Sequence, residues 1–351
     1  MAAVATGRGR TNLPAELTSF VGRRRELADI RDLMAASRLV TLTGMGGVGK
    51  TRLARHAAES SSRAFADGVW LVELADLVDS ALLGDAIATT LGLRQQGLTW
   101  TLDALARALG HRHSLLILDN CEHLVEACAA AVDAILKRCP DLHVLATSRE
   151  ALGIAGERVY PVAPLPLPEP GVASVEALNA YEAVSLFVDR ATAVSPSFVV
   201  DAANVATVAE LCAQLEGVPL ALELAAVWTR VLAPRDLLAQ LGDHYELVDK
   251  GLRATPTRQQ SLRALVGWSY QLCDSDEQSV WRQAAVFAQG FELDALRQVV
   301  DSPSGLELLG VVDRLVSKSI LFTERDAESV RFRMPEIIRS YGLARLAEAD
   351  D

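Results

Sequence analysis

The chain has 351 residues, half of them hydrophobic, and carries 34 Lys and Arg against 45 Asp and Glu for a formal net charge of −11. At roughly 150 residues per domain this length predicts two or three domains, and the apolar content excludes global disorder. The excess of acid argues against non-specific binding to nucleic acid or anionic membrane, which needs surplus Lys and Arg.

Residues 1–12 read as a flexible, polar leader without the apolar core of a signal peptide. A charged amphipathic helix is expected from Arg23 to Ala36. Apolar runs suited to buried parallel strands follow at Leu39–Thr43, Val69–Leu74, Leu115–Leu118 and His143–Ala146, with a fifth at Arg158–Val162. Helical stretches separate them, at Lys50–Ser60, Ser80–Leu91, Leu102–Leu109 and Leu124–Arg138. This alternation implies an α/β fold with a doubly wound parallel sheet. Prolines 161, 164, 166, 168 and 170 then alternate with other residues as in an extended linker, and the strands stop.

Beyond the prolines, helices are expected at Ser174–Val194, Ala202–Glu216, Leu220–Leu232 and Pro234–Leu241. Further helices lie near Arg258–Leu272, Asp276–Ala288, Leu293–Val300 and Leu306–Ser317. A hairpin (Ile320–Thr323 and Val330–Met334) and a closing helix to Ala349 complete a winged-helix pattern. The expected domains are therefore a leader (1–12), a P-loop domain (13–170), a helical subdomain (171–250) and a winged-helix subdomain (251–351). No segment approaches the roughly 18 apolar residues of a membrane span. Five cysteines, an odd number in a chain this long, suggest reduced thiols in a cytoplasmic protein.

The sharpest signal is Gly44-Met45-Gly46-Gly47-Val48-Gly49-Lys50-Thr51, which satisfies the Walker A pattern between an apolar strand and a helix. Its glycines let backbone N–H groups curl around phosphate oxygens at a helix N-terminus. Lys50 is expected to reach the β/γ-phosphates and Thr51 to bind Mg²⁺. Asp119, at the C-terminal end of the Leu115–Leu118 run, is the expected second metal-holding carboxylate. Many ATPases place Glu directly after that Asp to polarise water; here the position is Asn120, which cannot accept a proton, so hydrolysis should be slow. Glu122 is the next carboxylate, and it serves either as the base or as a helix cap. Arg149, at the end of the His143–Ala146 strand, is a candidate γ-phosphate sensor or a surface partner of Glu150. Cys121, His123 and Cys128 could suggest a metal site, but seven-residue spacing on a helix is that of a core face. None of the four lysines (Lys50, Lys137, Lys250, Lys318) sits in a guanine-reading Asn/Thr-Lys-x-Asp motif, which favours adenine.

Read together, these segments resemble the signal-transduction ATPases with numerous domains (STAND, also NB-ARC or AP-ATPases). The closest likeness is to the cores of actinobacterial LuxR-type and antibiotic-pathway transcriptional regulators. The likeness spans about Leu13 to Leu346. It runs through Phe20-Val21-Gly22-Arg23, similar to the family's adenine-contacting lead-in, and the phosphate loop with Arg52 following. It continues through Leu118-Asp119-Asn120-Cys121-Glu122-His123-Leu124, Thr147-Ser148-Arg149 and Gly217-Val218-Pro219-Leu220-Ala221. Arg258-Gln259-Gln260-Ser261-Leu262-Arg263 with Trp268-Ser269-Tyr270 looks like the start of the winged-helix domain.

The resemblance implies an ATP/ADP switch with Mg²⁺, Pro219 packing on adenine, and nucleotide held between the P-loop, helical and winged-helix domains. It also implies a protein partner or self-association on activation. The family's Met-His-Asp motif, whose His holds the ADP state, is replaced by Met334-Pro335-Glu336, so that lock is missing. Members of the family continue into helical repeats and often a DNA-binding domain, so the chain reads as an excised core or a short gene product. The alternative reading is a DNA-binding regulator acting through the winged helix with nucleotide as ligand. Residues 257–345 carry eleven Lys/Arg against twelve Asp/Glu, so no direct DNA binding is expected from this chain.

Overall fold

A computed structural model describes residues 11–349 apart from 17, 94–99, 170, 172–173, 250–257, 289, 301–304 and 326–329. Most of the leader, the expected boundary at residues 250 and 251, and the charged turn of the hairpin lie outside the described residues. The chain divides into two compact units, each with its own apolar core.

The first unit comprises Arg23–Gly44 and Gly49–Val162 together with residues 11–13. Its strands are β1 (Leu39–Thr43), β2 (Val69–Glu73), β3 (Leu115–Asp119), β4 (His143–Ser148) and β5 (Glu157–Pro161). They form one parallel sheet of order β2-β3-β4-β1-β5. Strands β1 and β3 are buried almost throughout, which is why each reads as an unbroken apolar run rather than an alternating one. The helices are α1 (Arg24–Ala36), α2 (Lys50–Ser61), α3 (Leu83–Thr90), α4 (Leu102–Leu109) and α5 (Val125–Arg138). Strand β2 is an edge of the sheet, and residues assigned to the leader by sequence lie along it. Thr11 bridges Val69 in parallel, and the Asn12 side chain both donates to the Leu71 carbonyl (2.9 Å) and accepts from the Leu71 N–H (2.7 Å).

The second unit comprises Pro14–Gly22, Met45–Val48 and Ala163–Asp351. Its helices are α6 (Val175–Asn179), α7 (Glu182–Val194), α8 (Val205–Gln214), α9 (Pro219–Val227), α10 (Pro234–Asp249), α11 (Arg258–Gln271), α12 (Ser275–Ala284), α13 (Leu293–Val299), α14 (Gly305–Ser317) and α15 (Glu336–Ala349). Strands β6 (Phe322–Arg325) and β7 (Val330–Arg333) pair as an antiparallel hairpin. One continuous core runs from Leu165 to Ile338, so the expected helical and C-terminal regions share a single interior. Of the prolines, Pro161 ends β5 in the first unit, Pro164, Pro166 and Pro168 lie beyond the unit boundary at Val162, and residue 170 is outside the described residues. The lead-in Pro14–Gly22 belongs to the second unit. Arg190 on α7 holds it there, donating to both the carbonyl and the hydroxyl of Ser19 at 2.8 Å.

Among the expected elements that differ from their pattern, two show the cause most directly. The single helix expected over Ser174–Val194 is broken where Tyr181 takes an extended conformation and starts α7. Ile320 and Leu321, expected in the hairpin, close α14 instead, both donating to the Leu315 carbonyl after Ser319 turns left-handed (φ 55°). Both are buried, and burial explains their apolar character as well as a strand would. No described helix is long and apolar enough to cross a membrane.

All five cysteines are buried free thiols. In the second unit, burial pushes the thiols of Cys212 and Cys273 up to about 12. In an unfolded chain a thiol ionises near 9.0. Raised folded values favour the protonated folded form, so stability is unaffected below pH 9 and is lost as the pH rises toward 12. Each pKa unit corresponds to about 1.4 kcal/mol. The melting temperature should therefore fall between pH 9 and 11 more steeply in the parent than in a Cys212→Ala/Cys273→Ala double variant. Parallel profiles would show that these thiols do not set the alkaline limit.

Candidate nucleotide-binding site

The phosphate loop leaves the C-terminal end of β1 and enters α2. Gly44, Gly47 and Gly49 have φ of 153°, 77° and 93°, backbone that a side chain would strain, so the glycine spacing is a conformational requirement. At its tip, which belongs to the second unit, the Gly47 carbonyl accepts the Leu220 N–H at the start of α9 (3.2 Å). A Cβ on Gly47 would come within 2.8 Å of Leu262.

Lys50 and Thr51 open α2. Lys50 is 9% exposed and its ammonium donates to the Gly44 carbonyl at 2.7 Å. Burial holds its pKa below the usual lysine range, the carboxylates of Glu122 and Asp119 oppose that shift, and Arg149 adds to it. Asp119, Glu122 and Arg149, each singled out by sequence, therefore all act on Lys50. The Thr51 hydroxyl donates to Asp119 Oδ1 at 2.7 Å. Asp119, at the end of β3, is 3% exposed. The Thr147 hydroxyl also donates to Asp119 Oδ1, at 2.6 Å.

Asn120 stands in a left-handed conformation (φ 67°, ψ 50°) that Asn tolerates better than most residues. Backbone geometry thus accounts for Asn where a Glu is common in this class of site. A single 3-10 turn, Cys121–His123, then sets Glu122 beside the site. Helix α5 has Leu124 at its N-cap and no side-chain capping bond, so Glu122 does not cap it. Glu122 Oε1 instead accepts from Arg149 Nε at 3.1 Å, and its buried Oε2 has no hydrogen-bond partner among the described residues. Cys121 and Cys128 bury side by side beneath this turn, in the core of the first unit. Hard oxygen donors on Thr51 and Asp119, with a buried ammonium close by, form a donor set that fits Mg²⁺ and phosphate.

The remaining expected residues divide between the units. Arg23 precedes α1 in the first unit, 4% exposed and paired with Glu26 at 2.7 Å. Arg52 lies on α2 in the same unit. Val21, Gly22, Met45, Gly46, Val48 and Pro219 belong to the second. At Gly22 a side chain would be strained by the backbone (φ 74°), and its Cβ would displace the end of the Glu182 side chain, 2.5 Å away. Gly217 likewise lies against the Leu165 carbonyl, where a Cβ would be at 2.3 Å, and Pro219 opens α9 in the first turn, where its missing N–H costs nothing. Thr147, which the sequence places in the sensor-like Thr147-Ser148-Arg149 segment, is given no role of its own there. Its signal is a polar side chain at the end of an apolar strand, fully buried beside a carboxylate.

Comparison with known proteins identifies the family of the chain. Residues 19–200 match the AAA ATPase domain family. A putative HTH-type transcriptional regulator of Mycobacterium tuberculosis is 40% identical over 92% of this chain, which spans 35% of that protein's length. An uncharacterized protein of the same species is 38% identical over 95% of this chain and 83% of its own length. Among solved structures, the STAND protein with a tetratricopeptide repeat sensor from Pyrococcus horikoshii superposes with a TM-score of 0.57 at 17% identity, covering 94% of this chain and 43% of that one. The chain belongs to the AAA ATPase domain family, with the fold of a signal-transduction ATPase with numerous domains.

Proposed function

We propose that the chain is an ATP/ADP-binding switch ATPase of a signalling or transcriptional regulator. The observation that carries the reading is the Thr51–Asp119 contact of 2.7 Å beside the buried Lys50. In this reading Lys50 binds the β/γ-phosphates, Thr51 and Asp119 hold Mg²⁺, and Arg149 senses the γ-phosphate. Bound Mg²⁺ supplies charge neutralisation for phosphoryl transfer. Glu122, with one carboxylate oxygen buried and without a hydrogen-bond partner among the described residues, takes the role of water-orienting base. Its ion pair with Arg149 must loosen for both residues to act, which keeps turnover low. ATP and ADP, bound with different affinities by different conformations, bias the equilibrium between them.

Steady ATP turnover should fall far below the ~10 s⁻¹ typical of enzymes. Glu122→Gln should lower that slow rate further while leaving ADP affinity intact. An unchanged rate in the variant would remove Glu122 from the reaction.

The name of one M. tuberculosis relative, an HTH-type transcriptional regulator, keeps a DNA-binding reading in view, with α11 to α15 and the hairpin as the winged-helix subdomain. Its candidate reading helix, α14, buries Leu308, Val311, Val312 and Leu315. Arg314 on α14 and Lys318 just after it both pair with Glu277. Duplex binding at physiological salt should accordingly be negligible in an anisotropy titration. Sub-micromolar affinity with a steep salt slope, lost in Arg331→Ala/Arg333→Ala, would favour the DNA reading.

A further inference from the structure

We propose that Thr147 is a positioning residue that fixes the Asp119 carboxylate for Mg²⁺, an inference that rests on the nucleotide reading above. A hydroxyl has one proton to donate, and two hydroxyls, those of Thr51 and Thr147, give theirs to the same oxygen, Asp119 Oδ1. They are not equivalent. Thr51 is the loop residue assigned to the metal, so the carboxylate also needs an orienting donor that is not itself a ligand. Thr147 meets that need from outside the loop.

Its hydroxyl is held at both ends. It accepts the Asn120 N–H at 2.9 Å, which leaves its proton directed at Asp119 2.6 Å away. Sheet order explains how it gets there. Strand β4 lies between β1, which carries the phosphate loop, and β3, which carries Asp119, so its C-terminal end stands beside both. Thr147 is 1% exposed and Asp119 3%, so water does not compete for the contact. A carboxylate held in this way keeps its plane whether or not Thr51 leaves it. Outer-sphere partners of this kind typically contribute 10–100-fold to metal affinity.

The test compares the parent with Thr147→Val, which keeps the branched shape and loses the hydroxyl, and Thr147→Ser, which keeps the hydroxyl. ADP affinity is measured by calorimetry in EDTA, and Mn²⁺ affinity of the ADP-loaded protein by electron paramagnetic resonance. Thr147→Val should weaken Mn²⁺ binding about 10–100-fold with ADP affinity in EDTA unchanged, and Thr147→Ser should restore parental Mn²⁺ binding. Parental Mn²⁺ affinity in Thr147→Val, or a Thr147→Ser as weak as the valine variant, would overturn the role. If Thr147→Val does not fold, as circular dichroism would reveal, Thr147→Ala takes its place in the same comparison. A parent that binds no ADP would overturn the nucleotide reading and this inference with it. With a parent that binds both ADP and Mn²⁺, any loss in the variants belongs to Thr147 alone.

Discussion

Lys50→Met should abolish stabilisation by ADP while leaving the nucleotide-free protein at least as stable as the parent. A ligand that binds only the folded state at a hundredfold excess over its Kd adds about 2.7 kcal/mol, and Lys50 carries the charge that meets the phosphates. The second half of the expectation follows from burial. The ammonium is 9% exposed and its pKa is depressed, so folding disfavours its charged form. That penalty is present at neutral pH and shrinks as the pH rises toward the ordinary lysine value of 10.5. Methionine keeps the stem and removes the charge. Thermal melts with and without ADP at neutral and alkaline pH report both effects. Equal ADP shifts in variant and parent would exclude Lys50 from the site, and a large loss of stability without nucleotide would show that its bond to Gly44 outweighs the buried charge.

Glu277→Ala should cost the second unit about 3 kcal/mol, the low end for removing one partner from a buried ion cluster, because Arg314 is 46% exposed and keeps Asp274 at 3.5 Å. Glu277 is 1% exposed, and its Oε1 accepts from Arg314 at 3.0 Å. Its Oε2 accepts from Lys318 and, at 2.8 Å, from the Asp274 N–H. Asp274 returns a bond to the Glu277 N–H, closing a capping box at the start of α12. Lys318 is itself 11% exposed and lies 5.7 Å from the centroid of the Trp228 ring. The alanine variant thus leaves two cations without their shared carboxylate and breaks a helix cap. Glu277→Gln, which keeps the volume and a carbonyl for the cap, should lose less. Urea unfolding measures both, and a loss under about 1 kcal/mol in Glu277→Ala would show that solvent already screens the cluster.

The first unit was largely legible in the sequence because its physics is local. Parallel strands covered on both faces are continuous apolar runs, and the phosphate loop announces itself through glycines that must adopt positive φ. Asp119 was legible from its place at a strand end. What the sequence does not display is order across the sheet. Nothing in His143–Ser148 says that this strand lies between β1 and β3, so Thr147 had no visible partner. In the second unit, helical periodicity located most elements but could not separate burial at a helix cap from burial in a strand, as at Ile320 and Leu321. The allegiance of the lead-in was equally hidden, because it depends on Arg190 reaching back 171 residues to Ser19.

Sheet order also governs when the site can exist during synthesis. Both neighbours of β1 are late in the chain, with Thr43 in register with Ser148 on one side and Pro161 on the other. At a ribosomal pace of about 5–20 residues per second, the strand that carries the phosphate loop waits roughly 6–24 s for the second of them. Until β4 emerges, after roughly 5–21 s at that pace, the apolar segment Leu39–Thr43 has no native partner on either edge, and non-local pairings of this kind fold slowly. A nascent chain in that interval is a natural client for a holdase chaperone. The Asp119 carboxylate gains the Thr147 hydroxyl only once β4 has emerged.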